Sequence, residues 1–141
     1  MAVGSLRGRC CCGAVRVELT PPTIFASYCH CETCRRVHGA PFVAWTAVGR
    51  DAFQIVDGGE ALAEYASSQG VVRAFCSRCG SPMFYKGEGT ADRIYVPVAI
   101  LDAIDRPIAS HVSYEERVPW IAGIHTIPCF EGKTDKSLSW S

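Results

Sequence analysis

The sequence predicts a mainly β protein, antiparallel in its pairing and confined to one domain, and three features carry that expectation. Short segments rich in β-branched and aromatic residues recur along the chain, and several alternate apolar and polar residues as half-buried strands do. The chain holds 13 glycines and 8 prolines, enough to place a turn between most of these segments. Only one stretch has helical character. At 141 residues, with no internal repeat, low-complexity tract or linker, residues 1–141 read as a single domain.

Taken in order, segment 14–19 is the clearest strand: Val15, Val17 and Leu19 face one way, Arg16 and Glu18 the other. Residues 32–38 form the one helical stretch, closed by Gly39, the residue type that commonly ends a helix. Segments 42–48, 52–56, 71–75, 82–85, 93–99 and 109–114 follow as strands, for a total of seven or eight. Asp57-Gly58-Gly59 and Gly87-Glu88-Gly89 are expected as turns, and a short turn is expected over 118–121, near Pro119.

Composition narrows the function. With 48% hydrophobic and 20% charged residues the chain is globular rather than disordered. Lys+Arg and Asp+Glu both number 14, so no basic field is available for general nucleic-acid binding, and no polybasic tract suits an anionic membrane. The longest apolar run, 94–101, is too short for a span and contains Pro97. Residues 1–9 lack the apolar stretch of a signal peptide, so the cytoplasm is the expected location. In that reducing setting, clustered cysteines read as metal ligands rather than disulfides.

Nine cysteines carry the chemistry: Cys10-Cys11-Cys12, then Cys29, Cys31 and Cys34, then Cys76 and Cys79, with Cys129 alone. Zinc takes about four thiolate or imidazole donors in a tetrahedron, and close-spaced pairs supply two corners each. If residues 10–12 are extended, Cys10 and Cys12 share a face and Cys11 points away. Cys76 and Cys79 supply the complementary pair, and Gly13 and Gly80 relax the backbone behind each. These four make a closed, structural site. Cys29, Cys31 and Cys34 have no fourth cysteine beside them. A three-ligand zinc with water or substrate in its fourth position is the arrangement of a catalytic site. Cys129, His30 or His38 could instead close that site, and Cys76 with Cys79 could be a redox dithiol, which would leave the first pair without a purpose. Cys11 and Cys129 are expected as small buried fillers. Seven thiolates and two Zn²⁺ would shift the formal charge from 0 to about −3, further against nucleic acid.

Gly8 to Val15, Tyr28 to Arg36, Gly39-Ala40-Pro41-Phe42 and Phe75 to Ser81 together resemble the glutathione-dependent formaldehyde-activating family, which includes centromere protein V; the stretch from His111 to Pro128 resembles that family's tail. The resemblance implies a β-tent fold around a structural zinc on Cys10, Cys12, Cys76 and Cys79. It implies a catalytic zinc on Cys29, Cys31 and Cys34, the same partition that the spacing suggests. It also implies carbon–sulfur lyase chemistry joining glutathione to formaldehyde as S-hydroxymethylglutathione. Cys11 departs from the family pattern.

Three thiolates give a bound zinc a formal charge of −1, better suited to holding a substrate thiol as thiolate than to polarising a carbonyl alone. A small thiol such as glutathione would then attack a small aldehyde. Arg35 and Arg36 could offset the site's charge or meet a substrate carboxylate, or simply form a solvated helix face. His38 is the nearest acid/base candidate, and Trp45, Tyr85 and Trp120 could wall a pocket. Two other classes compete: a zinc-stabilised protein-binding module without catalysis, and a methionine sulfoxide reductase, for which two CxxC pairs would be expected.

Overall fold

In the computed structural model, which describes residues 4–87, 89 and 92–132, alternation of side chains builds two sheets and sorts their faces. Strands β1 (Leu6–Arg9), β2 (Arg16–Leu19) and β5 (Phe53–Asp57) form a three-stranded antiparallel sheet in the order β1-β2-β5. The other strands are β3 (Ala26–Cys29), β4 (Val43–Gly49), β6 (Leu62–Ser68), β7 (Val71–Cys76), β8 (Pro82–Lys86), β9 (Arg93–Pro97) and β10 (Ser110–Val112). They form a second sheet in the order β10-β3-β4-β9-β8-β7-β6. Helix α1 (Glu32–His38) ends at Gly39 in the left-handed conformation, as expected. A 3₁₀ turn at Pro119–Ile121 meets the expectation for 118–121.

The mainly β class is therefore as expected, with differences in detail. Among the described residues ten strands form rather than seven or eight. The extra ones are β1, with only four residues, β3, built of Ala, Ser, Tyr and Cys, and β6, a largely exposed edge strand. None has a strong apolar pattern, and each is held by its neighbours' hydrogen bonds rather than by propensity. Among the described residues one pairing is parallel: β10 runs alongside β3 with Ser110 opposite Ser27. The Asp57–Gly59 turn leads into a 3₁₀ turn at Gly59–Ala61; the expected turn at 87–89 includes Glu88, outside the described residues.

The seven-stranded sheet has two unlike faces. Val48, Phe84, Ile94 and Val96 point toward the small sheet and pack with Leu6, Val17 and Leu19 into the main core. Full burial of such side chains stabilises by roughly 1.5–3 kcal/mol each. Residues one position out of phase face the other way. Val43 and Trp45 of β4, Tyr85 of β8 and Tyr95 of β9 pack there with Cys29, Cys31 and Cys34 in a second cluster. Register lines up Arg73 with Tyr85 and Tyr85 with Tyr95 across β7, β8 and β9. The second face therefore carries an aromatic row ending in a buried arginine. A polar clamp fixes the approach to β3: Thr23 donates to Asp105 from its backbone N at 2.8 Å and from Oγ1 at 2.6 Å, and Arg106 Nε donates to Thr23 Oγ1 at 2.9 Å. Among the described residues no helix is long and apolar enough to cross a membrane.

Candidate metal centres

Two hairpin turns create the first centre. Cys10 closes β1, and the chain reverses through Gly13, whose N–H donates to the Cys10 carbonyl at 3.1 Å, before β2 begins. Cys76 closes β7, and the chain reverses through Gly80, whose N–H donates to the Cys76 carbonyl at 2.7 Å, before β8. Gly13 and Gly80 sit at φ of +79° and +81°, a region open to glycine and strained for residues with a Cβ. Cys10 and Cys12 thus converge by a turn, and the expected extended geometry for residues 10–12 is incorrect. Carbonyl and sulfur of Cys10 both receive backbone donors within this turn, the sulfur from Val15 N at 3.2 Å.

The Sγ atoms of Cys10, Cys12, Cys76 and Cys79 all lie within 4.8 Å of one another. Cys10 Sγ and Cys12 Sγ are 3.6 Å apart, Cys12 Sγ and Cys76 Sγ 3.8 Å. A tetrahedron with Zn–S bonds of about 2.3 Å has edges of about 3.8 Å, so the donor set fits a tetrahedral thiophilic ion. All nine cysteines are free thiols. Hydrogen bonding from the Ser81 hydroxyl draws the Cys79 thiol down to about 5. The Ala14 N–H also draws Cys12 down, but the neighbouring sulfurs, Cys10 first, outweigh it and push Cys12 up to about 11. Close sulfurs cannot all ionise without a cation among them.

The second centre forms where β3 passes into α1. Cys29 ends the strand, Cys31 caps the helix, and Cys34 lies buried in its first turn. Cys34 N–H donates to Cys31 Sγ at 3.3 Å. The three sulfurs lie within 4.8 Å of one another, and among the described residues the group holds three donors and no fourth. The hydrogen bond from Cys34 holds Cys29 low, whereas Cys34 is pushed up by Cys29 and by burial, and Cys31 chiefly by burial. Three sulfurs this close disfavour one another's ionisation, and the group is one that could hold a divalent cation.

None of the residues considered as a fourth ligand joins this group. His30 is fully buried, but alternation turns it to the opposite side from Cys29 and Cys31. There its Nε2 meets His111 Nδ1 at 2.8 Å, among the rings of Phe42 and Tyr114. His38 sets its ring edge-on to Trp45, with centroids 5.3 Å apart, and burial, aided by Arg73, holds it down at about 4. Cys129 is exposed, its thiol near the Ile127 carbonyl at 3.6 Å. Cys11 is also exposed, at the apex of the first hairpin turn, where its N–H donates to Ser81 Oγ at 2.9 Å. Neither is the buried filler expected: one sits on a turn and the other in the irregular tail, and no core reaches either.

Arg35 and Arg36 differ from each other. Arg35 Nε donates to the His30 carbonyl at 3.2 Å and braces the ligand loop, while Arg36 forms an exposed pair with Glu32 at 2.9 Å. Both line a shallow groove of about 260 Å³ with Pro41, Val118 and Trp120.

Arg73 is the residue that the sequence reading lacked. It is 9% exposed, its Nη2 lies 3.8 Å from Cys34 Sγ, and its Nε donates to Ser67 Oγ at 2.9 Å. The guanidinium stands 5.0 Å from the Tyr85 ring centroid and 6.0 Å from that of Trp45. Tyr85 stacks on Tyr95 at 4.4 Å, and its phenol is pushed up mainly by burial. A lone arginine inside the apolar strand Val71–Cys76 was the available signal, because a charge there must find a buried partner.

The chain is similar to known proteins in sequence and in fold. An uncharacterised lyase of Schizosaccharomyces pombe is 33% identical over 78 residues. The matched stretch is 55% of this chain and 55% of that relative, about half the length of each. A crystal structure of a Rhodobacter sphaeroides protein superposes with a TM-score of 0.61 at 26% identity, covering 75% of this chain and 99% of that one. The pattern of the glutathione-dependent formaldehyde-activating enzymes matches residues 5–116, which include both sulfur groups. With most of its length matched, the chain belongs to the glutathione-dependent formaldehyde-activating enzyme family.

Proposed function

We propose that the protein is a zinc-dependent carbon–sulfur lyase-type enzyme that joins a glutathione-like thiol to a small aldehyde such as formaldehyde and cleaves the adduct in reverse. The observation that carries this reading is the inequality of the two sulfur groups: one has four donors, the other three beside a buried arginine and an aromatic wall. Cys10, Cys12, Cys76 and Cys79 would hold a structural zinc, and Cys29, Cys31 and Cys34 a catalytic one. When bound at the second centre, zinc supplies the positive charge that keeps a substrate thiol ionised at neutral pH.

The chain's own residues do the rest. Trp45, Tyr85 and Tyr95 shield the sulfurs on one side and keep the local dielectric low. Arg73 offsets thiolate charge at Cys34. Arg35 and Arg36 would meet a carboxylate of the glutathione-like thiol from the groove that they share with Trp120. A cytoplasmic setting, rich in small thiols, suits this chemistry. Family membership and the lyase-named relative support the reaction class.

The test is exchange NMR of formaldehyde with glutathione. Zinc-loaded protein should accelerate hydroxymethyl transfer above the uncatalysed rate, and Cys31→Ser should abolish the gain while the four-sulfur centre persists. A fully loaded protein that adds nothing to the background contradicts the proposal. A second reading, a zinc-stabilised protein-binding module, is favoured by the exposed tail residues Trp120 (68%), Ile127 (62%) and Phe130 (56%). It predicts unaltered background exchange together with intact metal content.

A further inference from the structure

Among the described residues, four buried side-chain polar atoms lack a hydrogen-bond partner. Three of them, Arg73 Nη1, Trp45 Nε1 and His38 Nε2, belong to side chains packed on one another at the three-sulfur centre. Native folds satisfy nearly all buried polar groups, so a local concentration of unsatisfied ones marks where a polar guest belongs. The kind of guest follows from the donors. Indole Nε1–H and guanidinium Nη1–H can only donate, and neutral imidazole can donate or accept. No carboxylate among the described residues pairs with Arg73. The missing partner is an oxygen acceptor.

Arg73 cannot turn away to satisfy itself. Its Nε is tied to Ser67 Oγ, its Nη2 lies against Cys34 Sγ, and its plane packs on Tyr85, so the rigid fork leaves Nη1 alone uncommitted. A cavity of about 490 Å³, lined by Val37, Glu64, Tyr65, Phe75 and Pro82, reaches Arg73. Charge compensation of the thiolates accounts for Nη2. It does not account for Nη1, nor for the bare indole N–H of Trp45.

We infer that Arg73 Nη1 and Trp45 Nε1 form an oxyanion hole for the aldehyde oxygen, beside His38, an assignment that rests on the thiol–aldehyde reading above. The thiolate sulfur gives an electron pair to the carbonyl carbon and a C–S bond forms. The C=O π pair moves onto oxygen, which the two N–H groups hold until it takes a proton from water. In reverse, the hydroxyl loses its proton to water, the C=O bond re-forms, and the C–S pair returns to sulfur. Donors placed where charge develops act on the transition state more than on the ground state.

The test uses zinc-loaded protein carrying Trp45→Phe, Arg73→Gln or Arg73→Lys. Loss of one such donor lowers the rate by about 10²–10³-fold, and each variant should show a fall of that order in hydroxymethyl transfer. Affinity for glutathione, read from the thiolate-to-cobalt charge-transfer band of the cobalt-substituted protein, should change by less than about threefold. Trp45→Phe keeps every charge, so a purely counter-ionic role for Arg73 predicts no change in that variant. Arg73→Lys keeps the charge but not the fork, and it carries the test if Arg73→Gln fails to fold by near-ultraviolet circular dichroism. The Trp45 indole N–H resonance should move downfield when S-hydroxymethylglutathione is added and stay in place with glutathione alone. The falls should be equal with glutathione and with 2-mercaptoethanol; a fall confined to glutathione would assign Arg73 to the thiol's carboxylate and overturn the inference. Unchanged rates in the variants, a fixed indole signal, or thiol affinity that falls in step with rate would overturn it too. Wild-type protein no faster than background would defeat the thiol–aldehyde reading and the oxyanion hole with it, whereas active wild type with unaffected variants defeats the oxyanion hole alone.

Discussion

Replacing Cys76 by serine should uncouple the two hairpins that meet at the four-sulfur centre. Cys76 is fully buried, and its sulfur lies 3.8 Å from that of Cys12, across the junction of the two sheets. A four-thiolate zinc site contributes roughly 10–16 kcal/mol of binding free energy to folding, so one donor in four is worth about 3 kcal/mol at the low end. That is a large part of the 5–15 kcal/mol typical of a whole domain. At about 3–4 °C per kcal/mol for a chain of this size, the midpoint of thermal unfolding should fall by about 10 °C. The assay is circular dichroism melting with stoichiometric zinc, repeated with chelator, with metal content measured in parallel. Wild type and variant should converge in chelator, because the stabilisation comes through the metal. A variant that keeps its metal and melts within about 2 °C of wild type, or a difference that survives chelation, would refute the reasoning.

Three further outcomes follow from the same structure. Cys11→Ser and Cys129→Ser alter exposed thiols outside both sulfur groups, so each should keep two metal ions per chain and unfold within about 0.5 kcal/mol of wild type; loss of a metal in either would make that residue a ligand. The two ions should differ in lability, the three-sulfur ion passing to a coloured chelator well before the four-sulfur ion; simultaneous release would contradict the partition. Burial pushes the Asp105 carboxyl up, but hydrogen bonds from the Thr23 hydroxyl and N–H overcome it and hold the group below the usual carboxylate range. Its stabilisation is therefore present at neutral pH and lost as pH falls through the lowered value. Asp105→Asn should cost most near neutrality and progressively less in acid, and a cost constant from pH 7 to pH 3 would sink this account.

How much of this was legible in the sequence depends on range. The partition of seven cysteines into four and three was readable, because ligand spacing is a local property and the two groups converge as expected. Helix Glu32–His38 and its glycine stop were local too. Strand β2 announced itself through alternation, whereas β3 did not: its Ala-Ser-Tyr-Cys run has little strand propensity and is ordered by β4 and β10. Cys10 and Cys12 converge by a turn rather than along a strand, because Gly13 and the return of β2 allow the sharper reversal. Arg73 lies 39 residues from Cys34, and only the register of β7, β8 and β9 brings it to the site. The exposure of Cys11 and Cys129 could not be read from residue type, since free cysteine is ordinarily buried.

The central claim, that Cys29, Cys31 and Cys34 hold a metal with room for a substrate thiol, is tested most directly by cobalt substitution at that centre followed by titration with glutathione. A new thiolate-to-cobalt charge-transfer contribution should grow to saturation at one thiol per chain in the wild type and be absent in Cys31→Ser, while the spectrum of the four-sulfur centre stays constant in both. A spectrum that no thiol moves would mean that the second centre is closed, and the account would be wrong at its core.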